Sequence, residues 1–476
     1  MAVNHFDLIV LGSGPAGERG AAYAAALGRK VALVEREAVL GGTVANLGTL
    51  PSKTLREAAV HLAGFRQRGI QGVTLSIQDQ MSTPDLLYRE RLVRQLEQAR
   101  IRAVIDQNKI DVYHGEAVFV DTRTVRVRSA GGAAQDELLS ADKILIATGS
   151  RPWRSPQFQV EDPAVLDSET ILGLAQIPKQ LVVVGGGVIG TEYASIFAAF
   201  GVQVTLVEEG ESLMPFLDRE LSAALLGCLR AQGIDVRLGE VVKGVQRGQP
   251  LRLELAKGGE LGAEVLLVCT GRVGNSASLG LSAAGLETDA RGFISVNEHG
   301  ETHVSGVYAA GDVRGFPALA SAAREQAVAA MRHAFGGDAG GGGSGIPLYG
   351  IYTIPECSMA GETEEGLRSK GVPFISGIAH YPANTRGQIL GARIGFVKLL
   401  FHRETQLLLG VHIIGEMATE LVHIGTTAMQ ARAKAKFFTE GSYNYPTLGE
   451  LYKAATLDAL GKLKPAKSPG RLLGPR

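Results

Sequence analysis

Sulfur is scarce in this chain, and that scarcity already excludes several chemistries. The three cysteines, Cys228, Cys269 and Cys357, lie far apart and form neither a CxxC pair nor a metal-ligand spacing. A disulfide framework is excluded, and an odd number of scattered thiols fits a reducing, cytoplasmic compartment. His402, His412 and His423 fall about ten apart, which suits neither zinc nor iron, so no metal is expected. An excess of charge of one sign is also missing. The 48 basic and 48 acidic residues cancel, so neither nucleic acid nor a membrane surface is implied as a partner. Long apolar runs are absent as well. The best, Tyr193 to Val207, contains Gly, Gln and Thr and lies between glutamates, so no membrane span is expected. The opening MAVNH runs straight into FDLIVLGSGPAG, an apolar stretch that the first motif requires, so no cleavable leader is expected.

Glycine, by contrast, is abundant. Much of the excess among 62 glycines falls in short motifs rather than in one repeat. Two segments read as the same unit: FDLIVLGSGPAGERGAAYAAALGRKVALVER and QLVVVGGGVIGTEYASIFAAFGVQVTLVEE. Each is an apolar strand, a glycine turn, an alanine-rich helix and a second strand ending in a glutamate. Gly12 to Glu35 and Gly185 to Glu208 both span 23 positions. This matched pair predicts two dinucleotide-binding folds in one α/β chain of 476 residues, long enough for about three domains. In Gly12-x-Gly14-x-x-Gly17 the first glycine permits the tight turn, and the second lets a pyrophosphate approach the backbone. The third lets the helix pack close to the strand, with its N-terminal amides aimed at the phosphates. Gly185-x-Gly187-x-x-Gly190 repeats the device. Glu35 and Glu208 stand where a carboxylate accepts hydrogen bonds from a ribose diol.

Further markers follow. KILIATGSRP and VLLVCTGRVGNS are apolar strands ending in Thr-Gly, read as crossings between domains. GVYAAGDV ends in Gly311-Asp312 and precedes the helical ALASAAREQAVAAM. FGGDAGGGGSG lacks a strand–helix context and reads as a linker, and the basic, proline-rich tail KPAKSPGRLLGPR reads as disordered.

Together with the stretch GGTVANLGTLPSK, Gly41 to Lys53, these motifs resemble the pyridine nucleotide–disulfide oxidoreductase family from Phe6 to about Leu463. The resemblance implies an FAD domain in two parts, 1–150 and 276–345, around an NAD(P) domain, 151–275. It also implies an α+β dimerisation domain, 346–464, that makes a homodimer, with 465–476 left as the tail. It implies that Gly12, Gly14, Ala16, Gly17, Gly42, Thr43, Thr148, Gly149 and Gly311 contact FAD. Glu35 would take the adenosine ribose, Asp312 the ribityl chain, and Gly115 and Ala117 the adenine end. Gly185, Gly187, Ile189, Gly190, Glu208 and Gly271 would hold NAD(H) or NADP(H). Lys53, also beside the flavin, and Glu192 would be the catalytic pair, an ammonium near N5 offsetting negative charge and a carboxylate holding it there.

Family disulfide reductases read GGTCxNxGCxPSK in that stretch. Here Val44 and Thr49 occupy the two cysteine positions, and NYPTLGE puts Tyr445 at the family histidine and Glu450 at its glutamate. Both halves of the dithiol chemistry are missing. That double loss, with NYPT, GIYTIPE, LFHRET and HIG, resembles the soluble FAD-containing NAD(P)+ transhydrogenase branch. It implies ping-pong hydride transfer through one nucleotide site. Glu208 pulls the other way. VEEGESLMPFLDRE offers two adjacent carboxylates, Glu208 and Glu209, and no basic residue before Arg219. Opposing a 2′-phosphate with a carboxylate costs on the order of a few kcal/mol, about two decades of affinity. An NADH-dependent diaphorase passing electrons to a quinone or other small acceptor is therefore the alternative. A flavin-binding sensor without turnover, and a lipoamide- or glutathione-type reductase, rank below both. Cys357 in PECSM reads as a core cysteine.

Overall fold

The computed structural model describes residues 3–67, 88–129, 136–159, 161–336 and 345–463. The tail expected at 465–476 and most of the glycine linker lie outside the described residues. The chain divides into two compact units. One runs to Glu209 and resumes at Glu240–Gly345; the other comprises Gly210–Gly239 and the chain from Ile346.

The first unit is built on two parallel sheets. In the larger, Val3–Leu11 lies between Val31–Glu35 and Glu137–Ile146, parallel to both. Asp111–His114 continues the sheet beyond Val31–Glu35, and Val307–Ala309 pairs in parallel with Glu137–Ile146. The hairpin strands Glu116–Phe119 and Thr124–Arg128 complete it antiparallel. Leu8, Ile9, Val10 and Leu11 are all buried, as a strand covered on both faces requires. The helix Pro15–Ala26 follows at once, with Pro at its start and Gly14 as an extended N-cap, the position where a missing N–H costs nothing. In the second sheet Gln203–Glu208, Gln180–Val184, Val265–Val268 and Val165–Asp167 run parallel in that order. The chain passes between the sheets at Ser150–Pro152 and returns at Arg272–Gly274. These two crossings pair with each other as an antiparallel ribbon.

The second unit centres on an antiparallel sheet in the order Leu348–Ile351, Cys357–Gly361, Leu408–Ile414, Phe396–His402, Phe374–His380. Helices Ala418–Gln430 and Glu450–Gly461 share one apolar core with it, including Val397, Leu399, Val411, Phe438 and Tyr452. Helix Arg219–Ala231 belongs here too, capped by Asp218. Asp218 is fully buried and accepts from the Lys398 ammonium at 2.9 and 3.0 Å. The molecule thus has the α/β class expected, two parallel-sheet dinucleotide folds and a mixed C-terminal part. Among the described residues no helix is long and apolar enough to cross a membrane.

Candidate active site

The two glycine turns are nearly superposable in their contacts. Gly12 and Gly185 adopt φ of 99° and 106°. A Cβ on either would lie 2.5 or 2.4 Å from a carbonyl oxygen, that of Ala147 or Cys269. At Gly17 and Gly190 a Cβ would come within 1.8 and 2.0 Å of the carbonyls of Gly12 and Gly185. Only glycine fits at these four positions. At Gly14 and Gly187 a Cβ would meet nothing within 4 Å, so both turns present open backbone in front of a helix N-terminus.

Around the first turn lies a cavity of about 380 Å³. Gly12, Gly14 and Ala16 form one wall, Glu35 one end, and Gly42, Thr43 and Val44 a roof. Gly115 and Ala117, Thr148 and Gly149, and Gly311 and Asp312 complete it from three other segments. Of the residues the resemblance assigns to FAD, two are not in the lining: Gly17 packs behind the turn, and Lys53 stands outside the cavity wall, paired with Glu192. Glu35 is buried, and its Oε2 accepts from the Ser13 backbone N–H at 2.9 Å and the Ser13 hydroxyl at 2.6 Å. Its other oxygen accepts from the Glu37 N–H at 3.0 Å. The Thr148 hydroxyl in the lining is buried without a partner among the described residues, which costs free energy unless a ligand satisfies it.

Reading the sequence alone missed the cations. Arg36, Arg94 and Arg151 all line the cavity. Arg36 and Arg151 adjoin the recognised Glu35 and ATGS and could have been found by that adjacency. Arg94 and Gln98 come from the helix Tyr88–Gln107, whose polar face carries no motif. Gln98 donates to Asn46 Oδ1 at 2.6 Å, and Asn46 donates to the carbonyls of Leu40 and Gly42, each at 3.1 Å. That chain of contacts fixes the roof. A carboxylate at Glu35, positive charge in the lining and an unsatisfied hydroxyl at Thr148 are what a dinucleotide's ribose, pyrophosphate and polar edges require, so the residues present fit FAD.

Lys53 and Glu192 do meet. Nζ lies 2.6 Å from Oε2 and ties helix Thr49–Gln67 to helix Val188–Phe200. The Glu192 side chain is only 5% exposed, which excludes a pair of merely solvated helix charges. Val44 lines the cavity and Thr49 is exposed at the start of its helix. Neither carries sulfur. Burial pushes all three thiols up, Cys228 to about 11 and Cys269 and Cys357 further. Cys269 forms the strand end behind the second turn, and Cys228 and Cys357 are buried in the second unit.

At the second turn Gly185, Gly187, Ile189 and Gly190 run into helix Val188–Phe200. The Gly186 N–H donates to Glu208, and Gly271 is exposed immediately before the return crossing Arg272–Gly274. In the second unit Tyr445 is exposed and donates to Thr385 Oγ1 at 3.1 Å, while Glu450 opens the last helix. His412 is buried, and among the described residues no group of three or more His, Cys, Asp or Glu could hold a metal.

Two dinucleotide turns in one chain, one beside a cavity and one open, with a lysine whose glutamate partner is buried, define a two-dinucleotide oxidoreductase. The chain belongs to the pyridine nucleotide–disulphide oxidoreductase family, whose description matches residues 6–327, with the family's dimerisation domain matching 348–456. It is 41% identical over 463 residues to a soluble pyridine nucleotide transhydrogenase of Mycobacterium bovis, covering 97% of this chain and 98% of that one. Among solved structures it is similar to LpdA from Mycobacterium tuberculosis, with a TM-score of 0.87, 25% identity and 96% and 99% of the two chains covered. It is also similar to the HOCl-induced flavoprotein disulfide reductase RclA from Escherichia coli, at 0.84, 26%, 95% and 99%.

Proposed function

We propose that the chain is an FAD-dependent pyridine nucleotide transhydrogenase that moves hydride from a reduced to an oxidised pyridine nucleotide without a sulfur relay. One observation carries this reading. Val44, Thr49 and Tyr445 stand where dithiol chemistry needs two cysteines and a histidine, while the Lys53–Glu192 pair is kept at 2.6 Å. The relative named as a soluble transhydrogenase supports it.

Bound FAD would supply the hydride acceptor and donor that no side chain can provide. The chain's own residues bind and orient. Segments 1–150 and 276–345 hold the flavin: Glu35 receives ribose hydroxyls, the three arginines balance the pyrophosphate, and Asp312 accepts from the ribityl chain. Lys53 keeps a fixed positive charge where negative charge develops, and Glu192 fixes its rotamer. Segment 151–275 takes donor and acceptor nucleotides in turn at Gly185–Gly190, a ping-pong scheme that needs one nucleotide site. Segment 346–464 makes a homodimer, and the compartment is the cytoplasm.

The test is steady-state transfer from NADPH to a spectroscopically distinct NAD+ analogue, with NADH plus a quinone run in parallel. Transfer between nucleotides is the expected outcome. No NADPH oxidation beside brisk quinone turnover would replace this reading with the NADH-dependent diaphorase that Glu208 favours.

A further inference from the structure

The paired crossings carry a line of contacts that the flavin and nucleotide sites leave unexplained. Arg272, on the return crossing, donates Nε–H to the Ser150 hydroxyl oxygen at 2.7 Å and Nη2–H to the Ser150 carbonyl at 2.7 Å. The Ser150 hydroxyl in turn donates to Asp312 Oδ2 at 2.9 Å. The same Arg272 Nη2 lies 3.6 Å from Glu169 Oε1.

Hydrogen inventory fixes the direction of this line. Arginine has only donors, and a hydroxyl has one proton and two lone pairs. With Arg272 donating into the Ser150 oxygen, the hydroxyl proton is free to turn to Asp312. Oδ2 is thereby engaged, and the carboxylate is set for a ligand hydroxyl to approach its other oxygen. The far end is equally fixed. Glu169 follows the strand Val165–Asp167 of the nucleotide sheet, and Asp167 Oδ1 accepts from the N–H groups of Glu169 and Thr170 at 3.0 and 3.1 Å. Arg154 holds the other Asp167 oxygen at 2.9 Å. The Arg272 side chain is 17% exposed and Ser150 is buried, so water competes weakly for these bonds.

We propose that Arg272 is a positioning residue that acts through Ser150 to set the Asp312 carboxylate for the flavin, anchoring it to the nucleotide-binding sheet through Glu169. The inference rests on the reading that FAD occupies the cavity beside Asp312. A planar guanidinium making two bonds to one serine is a geometric device, so its loss acts on orientation and not on charge at the reacting atoms.

The chain's single tryptophan, Trp153, sits three residues after Ser150. Its backbone N–H donates to the Gly271 carbonyl at 3.0 Å, next to the ribbon that carries Ser150 and Arg272. Its emission serves as the reporter of flavin binding. FAD is titrated into stripped Arg272→Ala, Arg272→Lys, Ser150→Ala and the double variant Arg272→Ala/Ser150→Ala, following quenching of Trp153. Arg272→Ala and Ser150→Ala should each weaken FAD roughly tenfold, and the double variant should weaken it no further, because both act through one bond to Asp312. Arg272→Lys, which keeps a donor to Ser150, should recover part of the loss. At saturating FAD, kcat should fall while the nucleotide KM holds. Wild-type protein that fails to bind FAD would sink the functional reading itself. Wild-type binding with unchanged affinity in Ser150→Ala and Arg272→Lys, or strictly additive losses, would overturn the positioning role even if Arg272→Ala proved insoluble.

Discussion

The two glycine turns share backbone, spacing and acidic partner, yet they are finished differently. In the first, Ser13 fills the variable position. Its backbone and hydroxyl both donate to Glu35, and the Gly41 N–H donates to the same hydroxyl at 2.9 Å. The turn, the acidic residue and the roof segment become one rigid piece, and a Cβ at Gly42 would sit only 3.0 Å from the Gly14 Cα. In the second, the equivalent residue is Gly186. It offers Glu208 one N–H and no hydroxyl, and Gly187 stays exposed. A closed turn with a buried carboxylate suits a group that is retained. An open one suits a molecule that comes and goes, as a turnover scheme with one exchange site demands.

The contrast can be broken where the two halves meet. Lys53→Met should lower kcat by about two to three orders of magnitude, measured as NADH- or NADPH-dependent turnover. It should also destabilise the fold by about 3–5 kcal/mol, because Glu192 is left buried without its ammonium. Adding Glu192→Leu should restore the melting temperature and leave turnover low. Recovery of turnover along with stability would assign the pair to folding alone.

Interchanging the finishing residues comes next in size. Ser13→Gly should release FAD roughly thirtyfold more readily through loss of a hydrogen bond to a carboxylate. Ultrafiltration of the holoprotein measures it. Full FAD retention would mean that the hydroxyl contributes nothing to closure. Glu208→Arg should shift preference from NADH toward NADPH by about two decades in kcat/KM. An unchanged ratio would place selectivity elsewhere.

A separate effect, on stability, lies outside both turns and marks the pH range in which they should be compared. His412 is fully buried; its Nε2 lies 3.0 Å from the Glu362 carbonyl and its Nδ1 has no partner among the described residues. Burial pushes it down from 6.5 to about 4. Between those values the unfolded chain binds a proton that the native state refuses, so stability is complete above pH 6.5 and falls as the pH drops toward 4. The loss is about 3 kcal/mol at most, and His412→Gln should flatten it in chemical denaturation run across that range. An identical slope in the variant would assign the acid sensitivity to other groups.

The pattern of strand, turn, helix and glutamate is local, so both dinucleotide folds were legible from about thirty residues each. The closure of the first turn was not. Ser13 looked like any residue of a GxG, and its role depends on Gly41, which is 28 positions away. Arg94 and Gln98 looked like a solvated helix face because nothing local distinguishes a helix that roofs a cavity from one that meets water. The Lys53–Glu192 pair joins residues 139 apart and was visible only through likeness to a known family. Periodicity reports burial, and long-range polar contacts leave no periodic trace.

Oxidants and alkylating agents disable many flavoenzymes by reaching a reactive thiolate. Here Cys228 and Cys357 are buried and Cys269 is half-buried, desolvation holds all three protonated at physiological pH, and none belongs to the Lys53–Glu192 pair. Peroxide, arsenite or iodoacetamide would find no point of attack in the working parts. A catalyst built this way should keep its turnover under oxidants that silence dithiol relatives.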